Sequence, residues 1–381
     1  MRTALRIGRV ALSLLIFVAT LELLARLDDH FTYGAPMIGR YDNEIMYMRD
    51  DLGRRGKPHA RFRKWTLNEV GFRGPALVSN RTSIVCFGAS ETFGLYESEG
   101  NEYPRELERE LNKRAGQNRF QVVNAAYPGQ SAATATLRIP EIASVIHPRV
   151  AVIYATPADY IWLPYLAYSR GAQADSEDTG FELRIKERVR TLLKSMLPEV
   201  VQTRLREREI EAEAEQFPVM QKLPEENIRR YRDDVAQLVA AARKYGAVPV
   251  IVTHANAVGS DPSKVDRALL VSWRKFYPML AEQGFVDMEL RMNQALRDLG
   301  AAEHVTVIDA ARVIPPDPRY FADFVHFTDA GAALMAKTVA SGLEPVLRAL
   351  PDSSSVTPNT PSSRSTSTSP LPSSHRELVA R

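Results

Sequence analysis

The run Arg81-Thr-Ser-Ile-Val-Cys-Phe-Gly88, continued by Ala89-Ser-Glu-Thr-Phe-Gly94, decides the fold. Its first half is a short unbroken apolar run stopped by glycine, the pattern of a parallel strand covered on both faces. Its second half is small and polar between Gly88 and Gly94, as a tight strand-to-helix turn requires. Downstream the same alternation recurs. A helix is predicted over 103–115, with Pro104 in its first turn and Leu107 and Leu111 one turn apart. Apolar runs at 120–125, 150–155, 247–253 and 305–309 repeat the strand pattern, with helices between them. The clearest helix, 226–245, follows Pro224, sets Ile228, Tyr231, Val235, Leu238, Val239 and Ala242 on one stripe and stops at Gly246.

This alternation predicts a three-layer α/β/α, flavodoxin-like domain on a five-stranded parallel sheet, spanning 81–350. An insertion at 162–223 interrupts it, with Ile185, Val189, Leu192, Leu193, Met196 and Leu197 on one side of a helix and a nearly all-charged stretch at 204–216. A helical pair docked on the domain with a solvated charged face is the expected reading, and a lid or membrane-surface element is the sharper one. Ahead of the domain, 28–80 reads as a connector that wraps onto it and includes Asn68-Glu-Val-Gly-Phe-Arg-Gly74. Beyond the domain, 19 of the 24 residues from Pro351 to Ser374 are Ser, Thr or Pro, so 351–381 is predicted to be a disordered tail.

At the N-terminus, Arg2, Arg6 and Arg9 precede an apolar stretch from Val10 to Leu21 that continues past Glu22 to Leu27, and Asp28 and Asp29 follow. This charge step predicts a signal-anchor, residues 1–27 crossing the inner membrane once and the domain lying outside, in the periplasm. No small-residue cleavage motif follows the apolar stretch, so retention is expected over cleavage. With 45% hydrophobic and 25% charged residues, the chain is of ordinary globular composition, which excludes fibrous and wholly disordered classes. A net charge of +3 with scattered basic residues excludes the footprint of a nucleic-acid binder. The single cysteine, Cys86, closes no intramolecular disulfide and supplies no zinc cluster.

In doubly wound sheets, ligands sit outside the carboxyl ends of the strands. The five predicted ends are Gly88-Ala-Ser-Glu-Thr-Phe-Gly94, Asn124-Ala-Ala-Tyr-Pro-Gly-Gln-Ser131, Thr156-Pro-Ala-Asp159, His254-Ala-Asn256 and Ala322-Asp-Phe-Val-His-Phe-Thr328, all polar or glycine-rich. Ser90 can stand there with its hydroxyl exposed and amides nearby for a developing oxyanion, or it can cap the next helix. Asp323 and His326 weigh toward chemistry, because at this spacing a carboxylate can hold the imidazole Nδ1–H while Nε2 faces the serine. Together the three describe an acyl-transfer triad. His254 and Asn256 read as structural loop residues, and no tight ligand spacing joins His254, Asp159 and His326 into a metal site. No metal and no cofactor is expected.

On these residues the chain resembles the GDSL, or SGNH, hydrolase superfamily, in particular its membrane-anchored bacterial branch, over roughly Asn68 to Thr338. Gly88-Ala-Ser90 is similar to the first block of that family, with Ala89 where Asp is usual. Gly129 matches the glycine of the second block, and Asp323-Phe-Val-His326 matches the terminal D-x-x-H block. The third block departs from G-x-N-D: here it reads Thr156-Pro-Ala-Asp159, so Ala158 stands where the oxyanion asparagine belongs. The resemblance implies an esterase in which Ser90 attacks, His326 moves the proton, Asp323 orients His326 and the amides of Ser90 and Gly129 hold the oxyanion. Asn256 is the nearest replacement for the missing side-chain donor. Carboxylic esters are the implied substrates, with O-acyl groups of extracytoplasmic glycans among them. Two other readings use the same scaffold: acyl transfer to a sugar hydroxyl, and a non-catalytic glycan-binding or assembly protein.

Overall fold

The computed structural model describes residues 2–39, 41–161, 183–214, 219–259 and 267–350. The predicted tail and the parts of the insertion at 162–182 and 215–218 lie outside the described residues. Five parallel strands form the sheet: β1 (Thr82–Gly88), β2 (Phe120–Asn124), β3 (Val150–Tyr154), β4 (Val248–Val252) and β5 (Thr306–Ile308). Their spatial order is β2-β1-β3-β4-β5, the flavodoxin-like order, whose switch point lies at β1 and β3. Ile84, Val85, Val150, Val152, Val250 and Ile251 are fully buried, which is why these strands read as continuous apolar runs rather than as alternation. The register levels their carboxyl ends, pairing Cys86 with Asn124 and Gly88 with Tyr154.

The helices in chain order are α1 (Arg2–Tyr33), α2 (Ser90–Phe93), α3 (Tyr103–Ala115), α4 (Ala132–Ile146), α5 (Arg184–Met196), α6 (Glu199–Ala214), α7 (Glu225–Lys244), α8 (Arg267–Phe276), α9 (Glu282–Ala302), α10 (Ala310–Val313) and α11 (Asp329–Ala349). One face of the sheet carries α3 and α11; the other carries α4, α7 and α9. The predicted stripe on α7 is buried along its length, from Ile228 to Ala242. At the N-terminus, α1 continues past the predicted boundary at Leu27, and its Arg6–Tyr33 part is long and apolar enough to cross a membrane.

The stretch read as a connector has structure of its own. Tyr47–Asp50 pairs with Gly53–Gly56 and Arg61–Phe62 with Trp65–Thr66, both antiparallel. Met46, Phe62 and Leu67 from this region pack with Phe93 and Ala126 as a small second core beside the switch point. The loops that follow β1 and β2 are thereby braced from the N-terminal side.

Candidate active site

Strand β1 delivers Gly88, Ala89 and Ser90 into the turn that starts α2. Gly88 has no side chain to spare room for: a Cβ there would lie 2.0 Å from Thr92 Oγ1 and 2.9 Å from the Tyr154 carbonyl. Ser90 is not a cap, because the capping position is Ala89 and no side chain bonds there. Its Oγ donates instead to Glu91 Oε2 at 3.3 Å. The last carbonyls of the turn, those of Phe93 and Gly94, both accept from Arg73 Nη1, and Arg73 is ion-paired with buried Glu102 at 3.2 Å. Asn124 Nδ2 donates to the Thr92 carbonyl at 2.9 Å. The turn that carries Ser90 is thus clamped from the connector and from β2.

After β2 the chain reverses through Gly129, whose φ of 80° is one that L side chains rarely adopt. With its amide oriented to satisfy both ends, Gln130 donates to the carbonyls of Gly88 at 2.8 Å and Ala125 at 3.1 Å, tying this loop to the end of β1. The amide of Ser90, opening a helix, has no intrahelical acceptor.

The loop from Phe321 to Phe327, closed by an antiparallel bridge, presents Asp323 and His326. Asp323 Oδ1 accepts the backbone N–H groups of Val325 (2.9 Å) and His326 (2.8 Å), while Oδ2 takes His326 Nδ1–H at 2.8 Å. This fixes the tautomer and leaves Nε2 buried and, among the described residues, without a hydrogen-bond partner, since Ser90 Oγ bonds Glu91 rather than His326. Burial opposes a charge on His326, but the Asp323 hydrogen bond and the nearby Asp323, Glu91 and Glu97 carboxylates outweigh it and raise its pKa. Asp323 moves the other way: burial would raise its pKa, yet His326 and the two backbone donors hold it below the usual carboxylate range.

Behind Ser90 lies a buried polar chain that the sequence reading missed. Glu91 Oε1 accepts from Thr156 Oγ1 at 3.0 Å and from His254 Nε2 at 3.3 Å, and His254 Nδ1 meets Glu289 Oε2 at 3.0 Å. Asn293 brackets the backbone of His254, accepting its N–H and donating to its carbonyl. Burial works against a charge on His254, but Glu289 and Glu91 raise its pKa. Desolvation likewise works against Glu91, whose pKa is nonetheless lowered by His254. His254 thus joins the turn after β1 to α9 through buried hydrogen bonds. The available signals were an acidic residue directly after the serine and a histidine closing an apolar strand, but Glu289 sits in α9, far along the chain.

Ser90, Gly129, Ala158, His254 and His326 all line one cleft of about 240 Å³, walled on its apolar side by Trp273, Phe276, Met288 and Phe324. Asn256 corrects the sequence reading: its Oδ1 accepts the N–H groups of Val258 (3.0 Å) and Gly259 (2.9 Å), and it is not among the residues lining the cleft. It closes a turn, as Asn side chains readily do, and does not replace the absent donor. Asn256→Ala should therefore leave the rate on a small activated ester unchanged while lowering the unfolding midpoint. Ala158→Asn, which adds a donor at the cleft wall, should raise that rate at least tenfold, since one oxyanion donor is worth about 10² to 10³ in kcat. A rate loss in Asn256→Ala, or no gain in Ala158→Asn, would show that the donors are arranged differently.

Residues 86–334 match the model of the GDSL-like lipase/acylhydrolase family. Among solved structures, the chain is similar to a lipolytic protein of the G-D-S-L family from Desulfitobacterium hafniense, at 13% identity over 69% of this chain and 100% of that one, with a TM-score of 0.40. It is also similar to the lipase/acylhydrolase from Enterococcus faecalis, at 14% identity over 69% and 96% of the two chains, with a TM-score of 0.41. A GDSL-like lipase from Bacteroides thetaiotaomicron shares 14% identity over 71% of this chain and 91% of that one, with a TM-score of 0.38. No curated protein matches the chain.

Proposed function

The chain belongs to the GDSL-like lipase/acylhydrolase family of ester-hydrolysing enzymes, and from that premise we propose that Ser90, His326 and Asp323 perform the hydrolysis of a carboxylic ester. The observation that carries this reading is the His326 imidazole, held at Nδ1 by Asp323 at 2.8 Å and unpaired at Nε2 among the described residues, on the same cleft as Ser90. Ser90 Oγ attacks the acyl carbonyl and its proton passes to His326 Nε2. The oxyanion is held by the amides of Ser90 and Gly129. His326 then returns the proton to the departing alcohol, and water repeats the sequence on the acyl-enzyme. Apolar Trp273, Phe276 and Phe324 suit a short acyl group, since the cleft lies below the ~300–1,000 Å³ of ordinary ligand sites.

The Arg2, Arg6 and Arg9 side of α1 stays in the cytoplasm and the domain lies outside the membrane, with α1 retained as its anchor. O-acyl groups on extracytoplasmic glycans are substrates that meet both conditions. A fluorophosphonate probe tests the central reading, because it needs an activated serine and no knowledge of the substrate. Stoichiometric labelling that maps to Ser90 is expected; an unlabelled chain, or a label elsewhere, would overturn it.

Glu91 contributes to the working pH of the base. His326 accepts a proton only when neutral, so the rate rises as pH passes its pKa, which burial lowers but which Asp323 first, and then Glu91 and Glu97, hold above the usual value. Glu91→Gln removes one of those charges and should move the acid limb of kcat/KM to lower pH. A limb that stays in place or moves up would mean that Glu91 does not act on His326.

A further inference from the structure

Glu22 is out of place in an apolar span, and it is buried. Its carboxylate pairs with Arg26 at 2.6 Å and accepts the backbone N–H of Ile185, at the start of α5, at 2.9 Å. Arg188 adds bonds to the Ala25 carbonyl and to Asp28 and Asp29, and Arg184 pairs with Asp29 at 3.6 Å. The insertion is therefore bolted to the last turns of the span, from Glu22 to Asp29. The exposed apolar shell of α1 runs from Ile7 to Leu24, which at about 1.5 Å per residue nearly matches a ~30 Å hydrocarbon layer. Its end coincides with that attachment.

From there α5 carries an apolar stripe that is exposed among the described residues. Leu192, Leu193, Met196 and, past Pro198, Val200 are 60%, 58%, 72% and 63% exposed. At helical spacing such a stripe belongs against a core or a bilayer. Lys186 and Arg190 on the same helix supply the cationic flank of a helix that lies in an anionic interface. We propose that this stripe enters the interfacial layer of the bilayer that α1 spans, giving the enzyme a second, in-plane attachment beside its anchor. The occupant is the lipid surface because the helix that carries the stripe starts from contacts with Glu22, Asp28 and Asp29, where the exposed apolar shell of α1 ends. The inference rests on α1 being a retained span. The attachment also reaches the cleft: α6 is ion-paired to α8 through Glu209–Lys275 and Glu207–Arg267, both 2.6 Å, and α8 carries Trp273 and Phe276 of the cleft wall.

The test uses the full chain in nanodiscs of phosphatidylethanolamine and phosphatidylglycerol, with an environment-sensitive fluorophore on Leu193→Cys, Thr191→Cys or Leu14→Cys. Native Cys86 stays unlabelled, since burial pushes its thiol up to about 12. Shallow spin-labelled lipids should quench the label at 193 at least twofold more than at 191, on the opposite side of the helix. Equal quenching at 191 and 193 overturns the inference, as does a label at 193 shielded from both lipid quencher and aqueous iodide, which would mark coverage by a second copy or another protein. The label at 14 separates the two readings. If 14 is quenched and 193 is not, the span stands and the docking fails; if 14 is unquenched or missing from the mature chain, the anchor itself fails.

Discussion

Replacing Ser90 by alanine should remove ester cleavage by roughly 10⁶-fold, the loss found when the serine of a protease triad is deleted, and should abolish fluorophosphonate labelling. The stability cost should be small. Among the described residues Ser90 makes one side-chain hydrogen bond, to Glu91 at 3.3 Å, and it is not the capping residue of α2. Glu91 keeps Thr156 and His254 when the hydroxyl is gone. A loss of about 1 kcal/mol would move the midpoint of a domain this size by about 2–4 °C. A labelled, active Ser90→Ala protein would remove the nucleophile from the proposed reaction. An inactive protein with a collapsed midpoint would instead make Ser90 a packing residue.

The parts of this fold that were legible are those written in local periodicity. Strands β1 to β5 are short β-rich runs bounded by glycine or polar residues, and α7 shows its buried stripe residue by residue. The Asp323–His326 pair was legible for the same reason, as both partners lie in one loop. The buried chain through Glu91, His254 and Glu289 was not, because its members come from the turn after β1, the end of β4 and the middle of α9. Only the sheet order brings them together. Arg73 is a similar case: in sequence it lies in the connector, and in space it donates to the carbonyls that end the turn carrying Ser90. Asn256 misled the reading because a strand end tells where a residue lies and nothing about where its amide points. Of the partners of Glu22, Arg26 one turn on was legible, but the start of α5 was not, because it lies in an insertion whose docking no local pattern reveals.

Asp323→Asn should cost about 10⁴ in kcat, as in the serine-protease case, with KM little changed. The reason is the division of labour between its two oxygens. Oδ1 accepts two backbone N–H groups and Oδ2 accepts His326 Nδ1–H, so all three contacts require an acceptor. An asparagine has one acceptor and one donor end. If its oxygen stays with the backbone, its NH₂ faces Nδ1 and drives the proton to Nε2, the atom that must receive the serine proton. If it flips, the NH₂ opposes two N–H donors and the loop from Phe321 to Phe327 is strained. Either outcome disarms the base without removing it. The stability difference between wild type and variant should depend on pH in a defined way. Asp323 has a lowered folded pKa, so its contribution is present above its unfolded value and is lost as pH falls through the folded one. His326 has a raised folded pKa, so its contribution is complete below its unfolded value and is lost as pH rises through the folded one. The two overlap between about pH 4 and 6.5, the unfolded values of the pair, and there the variant should fall furthest below wild type. A kcat loss under tenfold, or a stability gap that is widest outside that window, would show that Asp323 does not orient the imidazole.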